Sequence, residues 1–274
     1  MEESERGFVE VNGARLYYED SGEGEPLVLV HAGIADSRMW EGQLAAFGRR
    51  YRVIRYDMRG FGRTEMVEGA YAHHQDLHGL LDALGIERAL LVGCSIGGQA
   101  AIDFTLEYPG RVRALVLVGS AISGAEIWGD PPDQWEELVA ADNAQDLGRI
   151  SELEVQIWVD GPSRTPDRVD PGVRDLVREM NLIALRNEAS GLGDERPLEP
   201  PAINRLGEIR VPTLVIVGEL DRPETVARAE TLERSIPNAR RVVMPGVAHM
   251  PNMERPAEFN RIALEFLDNL EGEL

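Results

Sequence analysis

One serine in this chain lies in a setting that can make its hydroxyl reactive. Ser95 is flanked by glycines in Gly93-Cys94-Ser95-Ile96-Gly97, directly after the apolar run Ala89 to Val92 and at the start of a run with helical spacing. This pattern, between a buried strand and a helix, is typical of a strained turn that exposes the central side chain. Alone, the five-residue pattern also occurs by chance as a plain tight turn. It makes Ser95 a candidate nucleophile and the Ile96 amide, at the helix start, a candidate oxyanion donor.

Two further residues supply what a serine nucleophile needs. A serine hydroxyl is a weak nucleophile at neutral pH, so a histidine must take its proton and later return one to the leaving group. His249 follows the strand-like run Arg241 to Met244, and Asp221 follows the run Thr213 to Val217. The order along the chain is therefore serine, acid, histidine. We expect His249 to act as the base and Asp221 to orient its ring.

The choice of acid depends on how closely each carboxylate follows its strand. Glu219 is the rival of Asp221, because it comes two residues earlier in Gly218-Glu219-Leu220-Asp221. A residue at the strand edge usually points into the packing or a local salt bridge, which favours Asp221. The run Gly119 to Ser123, after another predicted strand, contains no carboxylate and so removes the other common position for the acid.

The loop His31-Ala32-Gly33-Ile34 follows the strand-like run Leu27 to Val30 and is the expected source of a second oxyanion donor. Gly33 is the predicted donor, through its backbone amide, together with the amide of Ile96. His31 is interpreted as a ring that fixes this loop and not as a base. Two backbone N–H groups are thus expected to face the carbonyl oxygen of a substrate.

The elements that must position these residues alternate between β-branched runs and runs of helical spacing, which is typical of a mostly parallel sheet covered by helices. The predicted strands are Gly7 to Val11, Arg15 to Glu19, Leu27 to Val30, Arg52 to Tyr56, Ala89 to Val92, Ala114 to Val118, Thr213 to Val217 and Arg241 to Met244. The predicted helices are Ser37 to Phe47, His73 to Leu84, Ile96 to Tyr108, Glu224 to Ser235 and Pro256 to Asn269. Asn12-Gly13 is expected to join the first two strands as a hairpin.

The segment from about Ala121 to Arg205 has a different character. It shows no strand-like run, carries 18 acidic and 8 basic residues, and is interrupted by Asp130-Pro131-Pro132 and Pro197-Leu198-Glu199-Pro200-Pro201. Helical patterns between such stiff connectors indicate a helical insertion. We therefore predict a core of residues 1–120 and 206–274, and a helical cap of residues 121–205.

Few residues are candidates for contact with a substrate. Ile34 follows the predicted oxyanion donor, and Met250 follows the predicted base. Trp128 and Trp158 belong to the predicted cap, where they either line an apolar pocket or form the packing core of the cap itself.

Composition excludes several classes of function. The formal net charge of −20 argues against nucleic-acid binding, which depends on a basic surface. All basic residues are arginine, so lysine Schiff-base chemistry is excluded, and the single cysteine, Cys94, allows no intramolecular disulfide. The run Met1 to Arg6 lacks the features of a secretory signal, and no apolar run is long enough to span a bilayer. We expect a cytoplasmic monomer or homodimer that acts on a small molecule and binds neither membrane nor nucleic acid.

The chain resembles the cap-bearing α/β-hydrolase family over nearly its whole length. Besides the motifs above, Tyr56-Asp57-Met58-Arg59-Gly60-Phe61-Gly62 is similar to the family's Asp-x-Arg-Gly-x-Gly loop, and the chain shares the helix end Leu80-Leu81-Asp82-Ala83-Leu84-Gly85. The resemblance implies an α/β-hydrolase fold, with an eight-stranded, mostly parallel sheet, helices on both faces and a helical cap. It implies catalytic or oxyanion roles for Ser95, Asp221, His249, Gly33 and Ile96. Ala32 is a departure, because many members have glycine there.

Other departures narrow the function that the resemblance implies. Haloalkane dehalogenases and epoxide hydrolases use an aspartate where this chain has Ser95, and hydroxynitrile lyases of this fold typically use a lysine. Esterases, enol-lactonases, thioesterases, C–C bond hydrolases and perhydrolases remain, with a similarity to enol-lactonase-like proteins. We expect a carboxylic-ester or lactone hydrolase that works through an acyl-Ser95 intermediate without metal or organic cofactor. A slow-turnover ligand sensor, a C–C bond (diketone) hydrolase and a perhydrolase are the alternatives.

Overall fold

An eight-stranded sheet forms the centre of the computed structural model, which describes residues 5–126 and 130–270. The described strands are β1 (Glu5–Val11), β2 (Ala14–Ser21), β3 (Glu25–Val30), β4 (Tyr51–Tyr56), β5 (Ala70–Tyr71), β6 (Ala89–Cys94), β7 (Val112–Val118), β8 (Asp194–Glu195), β9 (Thr213–Gly218) and β10 (Ala239–Met244). The large sheet has the order β1-β2-β4-β3-β6-β7-β9-β10. Its β1–β2 and β2–β4 pairs are antiparallel and its other pairs are parallel. The predicted α/β class and mostly parallel eight-stranded sheet are confirmed.

The hairpin at the start of the sheet forms for a local reason. Asn12 and Gly13 both have positive φ, at 48° and 80°. A two-residue turn with positive φ at both positions matches the twist of the two strands that it joins. Val11 accordingly pairs with Ala14 across the turn, as the asparagine–glycine pair predicts.

Helices cover both faces of the large sheet. They are α1 (Glu41–Phe47), α2 (His73–Ala83), α3 (Ile96–Glu107), α4 (Trp135–Asn143), α5 (Leu147–Val155), α6 (Pro171–Glu188), α7 (Pro223–Ser235), α8 (Pro251–Glu254) and α9 (Pro256–Asn269). Alternate residues of β3 enter two hydrophobic layers: Val28 packs in the layer that includes α2, α3 and α7, and Leu29 in the layer that includes α1 and α9. None of the described helices is both long and apolar enough to cross a bilayer.

The segment predicted as a cap supplies α4, α5 and α6 and, among its described residues, no strand of the large sheet. Val159 and Met180 from this segment belong to the same hydrophobic layer as α1 and α9, so it packs onto the core. Although the sequence of this segment shows no strand-like run, its described residues include the short strand β8, which pairs in parallel with β5. Two paired residues are too few to produce an alternating sequence pattern.

Candidate active site

The turn at Ser95 is sharp because two glycines leave room for it. Ser95 has φ 54° and ψ −118°, a backbone conformation that costs a non-glycine residue about 1–3 kcal/mol. A Cβ on Gly93 would lie 2.4 Å from the Gly97 carbonyl oxygen, and a Cβ on Gly97 would lie 2.3 Å from the His31 carbonyl oxygen. The Ser95 N–H donates to the Val118 carbonyl at 2.9 Å. The crowded backbone therefore holds the partly exposed Ser95 between β6 and α3.

His249 and Asp221 form a buried pair. His249 Nδ1 lies 2.8 Å from Asp221 Oδ2, and the two side chains are 3% and 1% exposed. A carboxylate at Nδ1 favours the tautomer with its proton there and leaves Nε2 as a proton acceptor. Glu219 instead accepts the Gly246 N–H at 2.9 Å. Of the two candidate acids, Asp221 is thus the one in contact with His249.

Gly119 joins the serine turn to this pair, and sequence reasoning did not single it out. It follows Val118 and has φ 49°. A Cβ on Gly119 would lie 3.0 Å from His249 Nδ1 and 3.4 Å from Asp221 Oδ2. The absence of a side chain at this residue therefore lets the histidine and aspartate approach β7. Its place directly after the buried run Ala114 to Val118 was the available signal.

The loop that carries His249 is held by the cap. Trp158 accepts the His249 N–H through its carbonyl oxygen at 3.2 Å, and its ring centroid lies 4.7 Å from that of His249. Glu254 accepts the Ala248 N–H at 2.8 Å and forms a buried ion pair with Arg164 at 2.6 Å. Trp158, predicted as a substrate contact, therefore packs directly on the candidate base.

The loop after β3 brings Gly33 next to Ile96. His31 is fully buried, its Nδ1 donates to the Ala32 carbonyl at 2.8 Å, and its Nε2 accepts the Met58 N–H at 2.9 Å. Burial lowers the pKa of His31, which keeps the ring neutral in this bridging role. A Cβ on Gly33 would lie 3.3 Å from the Ile96 side chain. The methyl group of Ala32 is buried in the core, so the departure from glycine does not fill the site.

A cavity of about 450 Å³ opens at Gly33 and Ile96 and extends beneath the cap. Gly33, Ile34 and Ile96 line one end of it, and residues of α5 and α6 line another part. Of the other predicted substrate contacts, Met250 is not among the described residues that line this cavity. Its side chain is 0% exposed and packs in the hydrophobic core. Trp128 lies outside the described residues.

Polar residues that sequence reasoning missed line the rest of the cavity. Burial raises the pKa of Glu154 and of Glu195, and it lowers the pKa of His73 to about 3. Asn181 completes this part of the wall beside Glu154. These residues come from α2, α5, α6 and β8, and no local motif connects them. Among the described residues, no group of three or more His, Cys, Asp or Glu has the arrangement of a metal site.

Comparisons with known proteins agree with this architecture. The family model for the alpha/beta hydrolase fold matches residues 25–256. A 2-hydroxy-6-oxo-6-phenylhexa-2,4-dienoate hydrolase of Comamonas testosteroni is 30% identical over 261 residues, which cover 92% of this chain and 91% of the relative. The solved enol-lactonase of Burkholderia xenovorans LB400 is 27% identical, with a TM-score of 0.77 over 96% of this chain and 100% of its own. Est816, an N-acyl homoserine lactone degrading enzyme, is 29% identical, with a TM-score of 0.76 over 95% of this chain and 100% of its own. The chain therefore belongs to the α/β-hydrolase family and is a hydrolase.

Proposed function

We propose that this hydrolase cleaves carboxylic esters or lactones through an acyl-Ser95 intermediate. The observation that carries the proposal is the buried His249–Asp221 pair, with 2.8 Å between Nδ1 and Oδ2, next to the strained turn at Ser95. Esters and lactones are the substrates of an activated serine with oxyanion donors. The enol-lactonase and lactone-degrading neighbours support the same class.

The first half of the proposed reaction forms the acyl-enzyme. Ser95 Oγ attacks the carbonyl carbon while His249 Nε2 takes the hydroxyl proton. The carbonyl oxygen becomes an oxyanion that the amides of Gly33 and Ile96 stabilise. The bond to the leaving oxygen then breaks, and His249 gives its proton to the alcohol. Asp221 stabilises the protonated ring during these steps.

The second half releases the acid. Water attacks the acyl carbon as His249 takes a proton from it, and the same two amides stabilise the second oxyanion. The bond to Ser95 Oγ breaks and His249 returns the proton to the serine. These steps call for no metal or organic cofactor.

C–C bond hydrolysis is the second candidate, because curated relatives at 30–32% identity are named as hydrolases of 2-hydroxy-6-oxo acids, whose names contain a ketone but no ester or lactone. The name of the Comamonas testosteroni relative describes a dienoate, which is a carboxylate. In this chain, Glu154, Glu188 and Glu195 line the cavity and no arginine is among its described lining residues. These carboxylates would repel an anionic substrate such as a dienoate, and this repulsion favours ester or lactone hydrolysis.

Replacement of the nucleophile tests the proposal. Wild type is expected to show a burst of p-nitrophenol from p-nitrophenyl butyrate and to be labelled once by an organophosphonate. Ser95→Ala should lower kcat by on the order of 10⁴- to 10⁶-fold, since the acyl-enzyme cannot form. Ser235→Ala, at the end of α7, is the matched control with unchanged kcat. Full esterase activity in Ser95→Ala would contradict the proposal, and turnover of a dienoate diketone but of no ester would favour the second candidate.

A further inference from the structure

The cavity beside the oxyanion loop has a charge pattern that ester hydrolysis alone does not require. Glu154, Glu188 and Glu195 line it. No arginine is found among its described lining residues, and the chain contains no lysine. The cavity wall therefore carries three carboxylates, with Glu188 acting electrostatically on Glu154, and its described residues include no opposing arginine or lysine.

Buried polar groups in the same wall have unused hydrogen-bonding capacity. Asn181 is 1% exposed, and its Nδ2 donates to Glu154 Oε2 at 2.6 Å, while its Oδ1 accepts no hydrogen bond from any described residue. His73 is 7% exposed, and its ring makes no hydrogen bond to a described residue; Nε2 lies 4.0 Å from Glu195 Oε1, beyond hydrogen-bond distance. Both residues line the cavity, so this hydrogen-bonding capacity is open to a ligand there.

A guanidinium that contacts the cavity wall, that of Arg59, is already paired. Arg59 lies over the Tyr71 ring, with its guanidinium carbon 5.0 Å from the ring centroid. It binds Asp76 at 2.9 Å, and both side chains are 2% exposed. Its charge is therefore balanced outside the cavity. Tyr71 and Phe61 add aromatic surface to the cavity lining, and aromatic faces attract cations.

We propose that this cavity binds an ammonium group on the acyl or alcohol part of the substrate, so that the enzyme's substrates are amino-bearing esters or lactones. An ammonium has three N–H donors and no acceptor, which suits the carboxylate of Glu154 and the free oxygen of Asn181 beside it, with Glu188 adding negative charge nearby. The inference rests on the proposed ester or lactone hydrolysis. A bound cation would also favour the ionised form of Glu154, whose pKa burial raises.

Esters matched in length test this preference directly. The p-nitrophenyl esters of 6-aminohexanoate, heptanoate, 6-hydroxyhexanoate and monoanionic pimelate differ only in the terminal group. We expect kcat/KM, corrected for enzyme-free hydrolysis, to be at least about tenfold higher for the ammonium ester than for heptanoate, equal to about 1.4 kcal/mol. The pimelate ester should be the poorest. Equal values, or a preference for the hydroxyl, methyl or carboxylate ester, would overturn the inference and leave ester hydrolysis standing.

Variants connect the preference to the cavity. Glu154→Gln should lower the ammonium-to-heptanoate ratio of kcat/KM by about five- to tenfold, because it removes a charge-assisted hydrogen bond. Glu179→Gln is the matched control: it removes the same charge from α6 at a side chain that is 65% exposed and paired with Arg38. The control should keep the wild-type ratio. An equal fall in both variants would mean that the general acidity of the cap, and not this cavity, sets the preference.

A binding measurement covers the case in which no ester is hydrolysed. Calorimetric titration of the Ser95→Ala protein with the methyl ester of 6-aminohexanoate should show binding that weakens when Glu154→Gln is added. Such binding would support the cation site even if the proposed hydrolysis failed. No heat of binding to either protein would overturn it.

Discussion

The histidine side and the cavity side of the site differ in how completely their polar groups are paired. On the histidine side, Asp221, Glu254 and Arg164 are each paired, and His249 is bonded through both its ring and its backbone. On the cavity side, Asn181 keeps an oxygen that accepts no hydrogen bond from the described residues, and the described lining residues include no arginine to pair with the carboxylates.

The difference follows from what each side must do. A base that transfers protons needs a fixed position, and saturated hydrogen bonding supplies it. A binding wall must keep its hydrogen-bonding capacity for the ligand, and it does so at a cost in stability. Three changes can break or sharpen this contrast, and they differ in the size of their expected effects.

The largest effect is expected on the paired side, at the acid. Asp221→Asn should lower kcat by on the order of 10⁴-fold, because an amide at Nδ1 no longer holds the His249 tautomer or stabilises its charge. Glu219→Gln, which alters the neighbouring carboxylate bonded to Gly246, should change kcat little. Steady-state kinetics with p-nitrophenyl butyrate measures both. A larger loss in Glu219→Gln would exchange the roles of the two acids.

The next effect concerns the ion pair that ties the cap to the histidine loop. Arg164→Met leaves Glu254 buried without its partner, and the two side chains are 11% and 7% exposed in the native protein. We expect a loss of about 3–5 kcal/mol in the free energy of unfolding. Because Glu254 also holds the Ala248 N–H beside His249, kcat should fall more than KM rises.

Urea unfolding measures this loss of stability, with a variant of an exposed arginine as the matched control. Arg234→Met removes a guanidinium that is 73% exposed and paired along α7 with Glu230, and it should cost less than about 1 kcal/mol. If the two variants were equally stable, the cap contact would not hold the loop. If Arg164→Met lost stability but kept kcat, the pair would support the fold alone.

The sequence predicts the paired side well because its constraints are local. Gly93 and Gly97 lie within two residues of Ser95, and Asp221 and His249 each follow an apolar strand closely. Parallel strands end at one edge of the sheet, so residues distant in the chain meet there without further information. The same reasoning predicted the mostly parallel sheet but not the contact of Gly119 with the histidine.

The cavity side depends on docking that no local pattern records. His73, Asn181 and Glu195 come from the start of one helix, the middle of another and a two-residue strand. Each lies in a stretch whose pattern predicts only a helix or a loop. Trp158 illustrates the limit, because the sequence predicts that it belongs to the cap, while its ring contact with His249 depends on how that segment packs.

The smallest expected effect is that of Glu154→Gln, which should raise the free energy of unfolding instead of lowering it. Burial raises the pKa of this carboxyl, despite its hydrogen bond from Asn181 and with a further contribution from Glu188. The folded protein then holds the proton more tightly than the unfolded chain, so stability falls as pH rises from the ordinary glutamate value through the raised one. Glu154→Gln removes this cost, and we expect it to be more stable than wild type at pH 7, by less than Arg164→Met loses.

The gain should disappear below about pH 4, where both states of the wild type are protonated. Urea unfolding between pH 4 and 8 measures it, with Glu179→Gln as the exposed control whose difference from wild type should show no such trend. A Glu154→Gln protein less stable at pH 7 would mean that the bond from Asn181 outweighs the cost of burial. We expect Glu154→Gln to be more stable than wild type and to prefer ammonium esters less. The two results together would mean that the wild type loses stability at Glu154 because it keeps a cation site open.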